Sequence, residues 1–199
     1  EIGSGLVGSE MCIRDRVKGR ENIDRKKSYV FVANHQGAFD IFLIYGFLGV
    51  PIKWVMKAGI AKIPFVGAAC RAAGFIFVDN STPKAAARSV LEAERSLKNG
   101  ASVVVFPEGS RTYDGKMIRF KKGAYQMAAD QHLQIVPITL NGPFDVLPIG
   151  SLNIHRHKME MVIHPPIPTE GMDASHKGLQ QMADKTQDII ASALWEQYR

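Results

Sequence analysis

Two short stretches, Tyr29-Val30-Phe31-Val32-Ala33 and Val103-Val104-Val105-Phe106, are apolar without interruption. A strand with one wet face alternates apolar and polar residues, whereas a strand covered on both faces reads as a continuous apolar run. The chain therefore has to place layers on both sides of a sheet. Six segments carry strand character: Tyr29 to Ala33, Lys53 to Lys57, Phe75 to Val78, Ser102 to Phe106, Ile135 to Leu140 and Met159 to Ile163. Helical patterns separate them. One is predicted from Pro83 to Asn99, with Thr82 as N-cap, Pro83 at the first helical position, a stripe of Ala86, Val90, Ala93 and Leu97, and Asn99-Gly100 as a stop. Another is predicted from Ser175 to about Gln197, with Leu179, Met182, Ile189, Ile190, Ala193 and Leu194 on one side. Alternating strands and helices give an α/β class: a single layered domain with a largely parallel or mixed central sheet flanked by helices.

The 199 residues, 46% of them hydrophobic, suffice for one well-buried domain with no linker or internal repeat. Residues 1 to 16 fit it poorly, having scattered glycines and no period. The stretch Val7-Gly8-Ser9-Glu10-Met11-Cys12-Ile13-Arg14-Asp15-Arg16 resembles translated sequencing-adaptor sequence. Residues 1–16 are therefore set aside as a non-native extension, and residues 17–199 are treated as the domain. Two cysteines, Cys12 and Cys70, form neither a disulfide framework nor a paired metal spacing, and Cys70 is expected to be a small core residue. The most apolar segment, Ile41 to Ile52, is interrupted by Gly46, Gly49 and Pro51 and falls short of a membrane span. A formal net charge of +6 suits an anionic membrane face. Nucleic acid is not expected, because the basic residues are dispersed and not interleaved with aromatics.

Polar clusters follow both of the apolar runs. Behind the first comes Asn34-His35-Gln36-Gly37-Ala38-Phe39-Asp40. Four residues between His35 and Asp40 allow a turn entering a helix to bring the carboxylate under the imidazole, fixing its tautomer and stabilising the imidazolium. Behind the second comes Pro107-Glu108-Gly109-Ser110-Arg111-Thr112, then Phe120-Lys121-Lys122-Gly123. In α/β sheets ligands collect at the carboxyl ends of strands, so both clusters are expected to face one crevice.

These blocks resemble those of the glycerolipid acyltransferases, the family typified by bacterial 1-acylglycerol-3-phosphate acyltransferase. The family's Asn-His-x-x-x-x-Asp block matches His35 and Asp40, and its Phe-Pro-Glu-Gly-Ser/Thr-Arg block matches Phe106 through Arg111. Gly74-Phe75-Ile76-Phe77-Val78-Asp79 and Ile135-Val136-Pro137-Ile138 fit two further blocks more loosely. The resemblance covers roughly residues 28 to 140 and implies a glycerol-3-phosphate acyltransferase-like fold. It also implies transfer of a fatty acyl group from acyl-CoA or acyl-carrier protein to the 2-hydroxyl of 1-acylglycerol 3-phosphate, giving phosphatidate. Where the family often has Arg after the Asp of the third block, this chain has Asn80, which leaves Arg88, Arg111, Lys121 and Lys122 as candidate phosphate partners. The same reaction on another lysolipid, such as a lyso-ornithine lipid or lysophospholipid, is therefore the alternative, followed by a catalytically silent membrane lipid-binding module.

Under this reading His35 is the general base and later the proton donor to the thiolate, and Asp40 orients it. Gly109 at positive φ would let backbone N–H groups approach an anion, and the planar fork of Arg111 suits the acceptor phosphate. Lys121 is a second phosphate candidate, Glu108 would bind glycerol hydroxyls or hold Arg111, and Ser110 would cap the turn. Ser110 lacks the Gly-x-Ser-x-Gly elbow of a nucleophile, and no P-loop is present. His155 and His157 read as a surface pair rather than a metal site, and His132 and His164 as structural. No cofactor or metal is called for; the acyl carrier is a substrate. Ile41 to Val50 and Ala58 to Gly74 are candidate walls of an acyl groove or membrane-facing elements. The partners expected are a lysophospholipid, the acyl donor and the cytoplasmic face of a membrane, in bacteria the inner one.

Overall fold

The computed structural model describes residues 16–78, 82, 102–151 and 153–199. In chain order the main elements are β1 Arg16–Lys18, β2 Tyr29–Ala33, α1 Phe39–Phe47, β3 Ile52–Lys57, α2 Val66–Ala72 and β4 Ile76–Val78. Then follow β5 Ser102–Val105, α3 Gly123–Asp130, β6 Gln134–Asn141, α4 Pro143–Val146, β7 Glu160–Ile163 and α5 His176–Ser192. The helix predicted from Pro83 to Asn99, and with it Asn80 and Arg88, lies outside the described residues.

Seven strands form one sheet in the order β1-β7-β6-β2-β5-β3-β4. From β6 to β4 every neighbouring pair is parallel; β7 runs antiparallel to β6, and β1 is parallel to β7. The sheet is mixed, with a five-stranded parallel core, as the uninterrupted apolar runs require. All five residues of β2 are buried, and they alternate between the two sides. Tyr29, Phe31 and Ala33 pack with Leu43 and Ile44 of α1, while Val30 and Val32 pack with Ala124 and Tyr125 of α3 and with Leu179 and Ile190 of α5. The result is three layers, helix on sheet on helix.

Strand β1 begins at Arg16, the last residue of the stretch set aside on sequence grounds. Its backbone N–H donates to Met159 O at 3.1 Å, and Lys18 Nζ lies 2.8 Å from Glu160 Oε2. Cys70 departs from expectation: it is half-buried on the short α2 rather than in the core, because α2 packs, among the described residues, mainly on the turn Ala58–Lys62 that precedes it.

Candidate active site at the carboxyl edge of the sheet

Because β2 and β5 are neighbouring parallel strands, the loops that follow them leave from the same edge. Asn34 fixes the first of these loops. Its side-chain amide donates to Leu140 O at 2.9 Å, and its Oδ1 accepts from Leu140 N–H at 2.7 Å. The amide thus continues the β2–β6 ladder for one more step. Gly37 then passes so close to α4 that a Cβ there would lie 2.8 Å from Pro143 O. These two constraints aim His35 and bring Asp40, in the first turn of α1, beneath it.

His35 Nδ1 and Asp40 Oδ2 are 2.7 Å apart, and the same oxygen accepts from Gly37 N–H at 2.9 Å. Asp40 is fully buried, and burial raises its pKa against the lowering effect of the His35 and Gly37 hydrogen bonds. With Nδ1–H held by the carboxylate, Nε2 is the nitrogen left to face a substrate. One face of the ring is covered by Phe106, stacked with centroids 4.0 Å apart and planes 9° apart, and Phe106 stacks in turn on Trp54. The imidazole therefore has one orientation and one free nitrogen.

The second block performs two tasks. Glu108 is 3% exposed; its Oε1 accepts from His35 N–H at 2.8 Å and its Oε2 from Ile118 N–H at 2.7 Å. Both oxygens are held by backbone, and no ion pair with Arg111 exists among the described residues. Glu108 is consequently a brace between the two loops of the site, a different task from the glycerol or Arg111 contact expected of it. Burial pushes its pKa up to about 7, although those two backbone hydrogen bonds pull it down. The loop containing Thr112 returns the connection, its N–H donating to His35 O at 3.1 Å.

The remaining residues of the block face outward. Gly109 has φ +77, as its position in the turn predicted, but its N–H donates to Phe106 O at 3.0 Å, so it is not itself free for an anion. Lys121 Nζ lies over Gly109, within 2.6 Å of where a Cβ would stand, which draws Lys121 to the turn. Ser110 and Arg111 are exposed, and their side chains have no hydrogen-bond or ionic partner among the described residues. Ser110 therefore does not cap the turn. Arg111 and Lys121 thus belong to the exposed turn whose Glu108 and Thr112 hydrogen-bond the His35 backbone.

The other histidines lie elsewhere. His164 Nε2 meets Thr139 Oγ1 at 2.8 Å, and burial lowers its pKa. His157 approaches Asp145 at 3.6 Å on the surface, and His155 is exposed. Among the described residues no three His, Cys, Asp or Glu side chains are grouped to hold a metal ion. Sequence reasoning missed the aromatic floor of Phe106 and Trp54. Its only signal was a large ring closing the apolar run just ahead of Pro107.

The model of the Acyltransferase family matches residues 14–141. The chain is 37% identical over 153 residues to the chloroplastic 1-acyl-sn-glycerol-3-phosphate acyltransferase of Arabidopsis thaliana, covering 76% of this chain and 43% of the relative. It is 31% identical over 161 residues to the human 1-acyl-sn-glycerol-3-phosphate acyltransferase alpha, covering 80% and 57%. The chain thus spans about half the length of these relatives. Among solved structures, the 1-acyl-sn-glycerophosphate (LPA) acyltransferase PlsC of Thermotoga maritima superposes with a TM-score of 0.74 at 30% identity, over 92% of this chain and 74% of that one.

Proposed function

We propose, from the premise that the chain belongs to the Acyltransferase family, that it transfers a fatty acyl group from a thioester donor to the 2-hydroxyl of 1-acylglycerol 3-phosphate. The observation that carries the proposal is the 2.7 Å His35–Asp40 pair, buried on the Asp side and open at Nε2, with Arg111 next in the chain to Thr112, whose N–H donates to His35 O, and Lys121 over Gly109 of the same turn. Nε2 takes the proton as the acceptor oxygen attacks the thioester carbonyl. The tetrahedral intermediate collapses with cleavage of the C–S bond, and the imidazolium returns its proton to the departing thiolate. The products are an ester and a free thiol. Asp40 stabilises the imidazolium between these two steps. Arg111, whose planar fork matches phosphate oxygens, holds the acceptor, with Lys121 as a point charge beside it.

The experiment is thiol release from palmitoyl-CoA with and without lysophosphatidate. Acceptor-dependent release is expected, falling by about 10²–10⁴ in His35→Ala as general-base catalysis is lost. Arg111→Ala should instead raise the KM for lysophosphatidate. Release without acceptor would make the protein a thioesterase, and an unchanged KM in Arg111→Ala would remove Arg111 from the phosphate site.

Association with a membrane surface belongs to the same proposal, because both the acceptor and the product are lipids. No helix among the described residues is long and apolar enough to cross a membrane. The supporting observation is the distribution of exposed large apolar side chains. Ile41, Phe42, Tyr45, Ile63, Phe65, Tyr113, Ile118 and Ile154 all lie in connections that leave the carboxyl ends of β2, β3, β5 and β6.

A further inference from the structure

Helix α4 is a single turn of four residues, too short to hold itself, and its neighbours fasten it on two sides. On the inner side a Cβ at Gly37 would lie 2.8 Å from Pro143 O, and Val146 shares a core cluster with Leu43 and Ile44 of α1. Gly37 N–H donates to Asp40 Oδ2, the oxygen that also holds His35 Nδ1. A shift of α4 therefore reaches the carboxylate through one backbone contact.

The outer side of α4 carries Asp145. Its Oδ2 accepts from the Tyr198 hydroxyl and from Gln197 Nε2 at 2.9 Å, and His157 Nε2 lies 3.6 Å away. Of these three partners only Tyr198 is buried, at 3% exposure. Burial and the Asp145 hydrogen bond both raise the Tyr198 pKa, so the hydroxyl keeps its proton and stays a donor. The ring stacks on Trp195 with centroids 6.0 Å apart and meets the edge of Phe144 at 6.4 Å. Trp195 N–H donates to Asn141 Oδ1 at 2.9 Å, which ties this segment to the end of β6.

Tyr198 touches the other loop of the site as well. Gly115, at φ +84, lies against its ring, where a Cβ would stand 2.9 Å from Tyr198 and 3.5 Å from Phe144. The loop that carries Gly115 starts at Thr112, whose N–H donates to His35 O at 3.1 Å and whose hydroxyl donates to Asp114 at 2.8 Å. Two routes thus leave one buried phenol, through α4 and Gly37 to Asp40 and through Gly115 and Thr112 to His35.

We propose that Tyr198 is a positioning residue for His35, acting through Asp145 and α4 on Gly37 and through Gly115 on the loop that hydrogen-bonds His35 O. This role rests on the acyltransferase reading above, whose general base it serves. The hydroxyl meets Asp145 and not the imidazole, so Tyr198 orients the base without exchanging a proton with it.

The test is Tyr198→Phe, which keeps the ring and its packing and removes only the hydroxyl. With palmitoyl-CoA as donor, kcat should fall about tenfold while the KM for lysophosphatidate stays the same, because a misplaced base slows the reaction without loosening the acceptor. Asp145→Ala and the double variant should each show the same loss, since all three cut one connection. A hydrogen bond that served stability alone would lower the urea midpoint and leave kcat of the folded variant unchanged; that result, or losses that add in the double variant, would overturn the proposal. The 15N shifts of the His35 ring, assigned by their disappearance in His35→Ala, report its bond to Asp40 with no substrate present. They should move in Tyr198→Phe even if the wild type transfers no acyl group, in which case the reaction assigned above fails and the positioning role stands. Shifts that do not move overturn that role whatever the turnover.

Discussion

Glu108 is a carboxylate that burial pushes up to about 7 from an ordinary 4.5, while it accepts hydrogen bonds from two backbone N–H groups. Below 4.5 the folded and unfolded chains both hold its proton, and above 7 neither does. Between those values only the folded chain holds it, so stability falls as pH rises through this window, by about 3 kcal/mol for a shift of that size. Glu108→Gln removes the titration, but it turns an amide N–H toward one of the two backbone donors and leaves a buried donor unmet, at a cost of about 1–3 kcal/mol. Urea denaturation should therefore find the variant less stable than the wild type at pH 5, with the gap narrowing by pH 8. A gap that stays the same at both would show that Glu108 does not titrate there. The His35–Asp40 pair was legible in the sequence because its chemistry depends on a local spacing. The role of Glu108 was not, since its partners His35 and Ile118 meet it only after β2 and β5 have paired.

Strands covered on both faces were legible to within about a residue, because their composition directly reflects burial. Helix α5 was legible at its start, where Ser175 Oγ accepts from Gly178 N–H at 3.1 Å, but not at its end. The apolar stripe continues to Leu194, whereas the helix stops at Ser192. The cause lies in β6: Asn141 donates to Ala193 O at 3.0 Å and accepts from Trp195 N–H at 2.9 Å, closing the helix from the sheet. No periodicity carries that signal, and the same is true of β1, three residues whose pairing depends entirely on the distant β7. Asn141→Ala removes both hydrogen bonds from a buried position and should cost about 2 kcal/mol. The expected readout is a lower urea midpoint at unchanged slope. An unmoved midpoint would mean that the helix end is held by the Trp195 and Tyr198 ring contacts instead.

At the scale of the molecule, the parallel core sends its loops to one edge, which carries the His35–Asp40 pair, and the exposed large apolar side chains lie in the connections that leave that edge. Phe65 shows how the fold presents them. It is 90% exposed and held at φ 62, a backbone conformation that residues other than glycine rarely adopt. The turn behind it is tight: a Cβ at Gly67 would stand 2.2 Å from Ala61 O, and Arg71 donates to the same carbonyl at 3.0 Å. Strain of this kind persists where the surroundings hold it in place, and here it keeps a phenyl ring away from the protein. Phe42 on α1 is 66% exposed, and Lys62, Arg71, Arg111 and Arg119 are exposed on the same set of loops. Rings that enter the acyl boundary and cations that meet anionic headgroups would hold this edge on a bilayer with His35 facing the lipid that carries the acceptor hydroxyl. Burying a large side chain is worth roughly 1.5–3 kcal/mol, so Phe65→Ser together with Phe42→Ser should lower partition onto anionic vesicles by at least tenfold. Added salt should weaken binding of both proteins, because the cations remain in each. The double variant should keep its turnover of lysophosphatidate dispersed in detergent, since neither ring touches the His35–Asp40 pair among the described contacts. Vesicle partition unchanged by the double substitution would place the docking surface elsewhere. A loss of turnover in detergent equal to the loss on vesicles would make the two rings part of the acyl-chain groove.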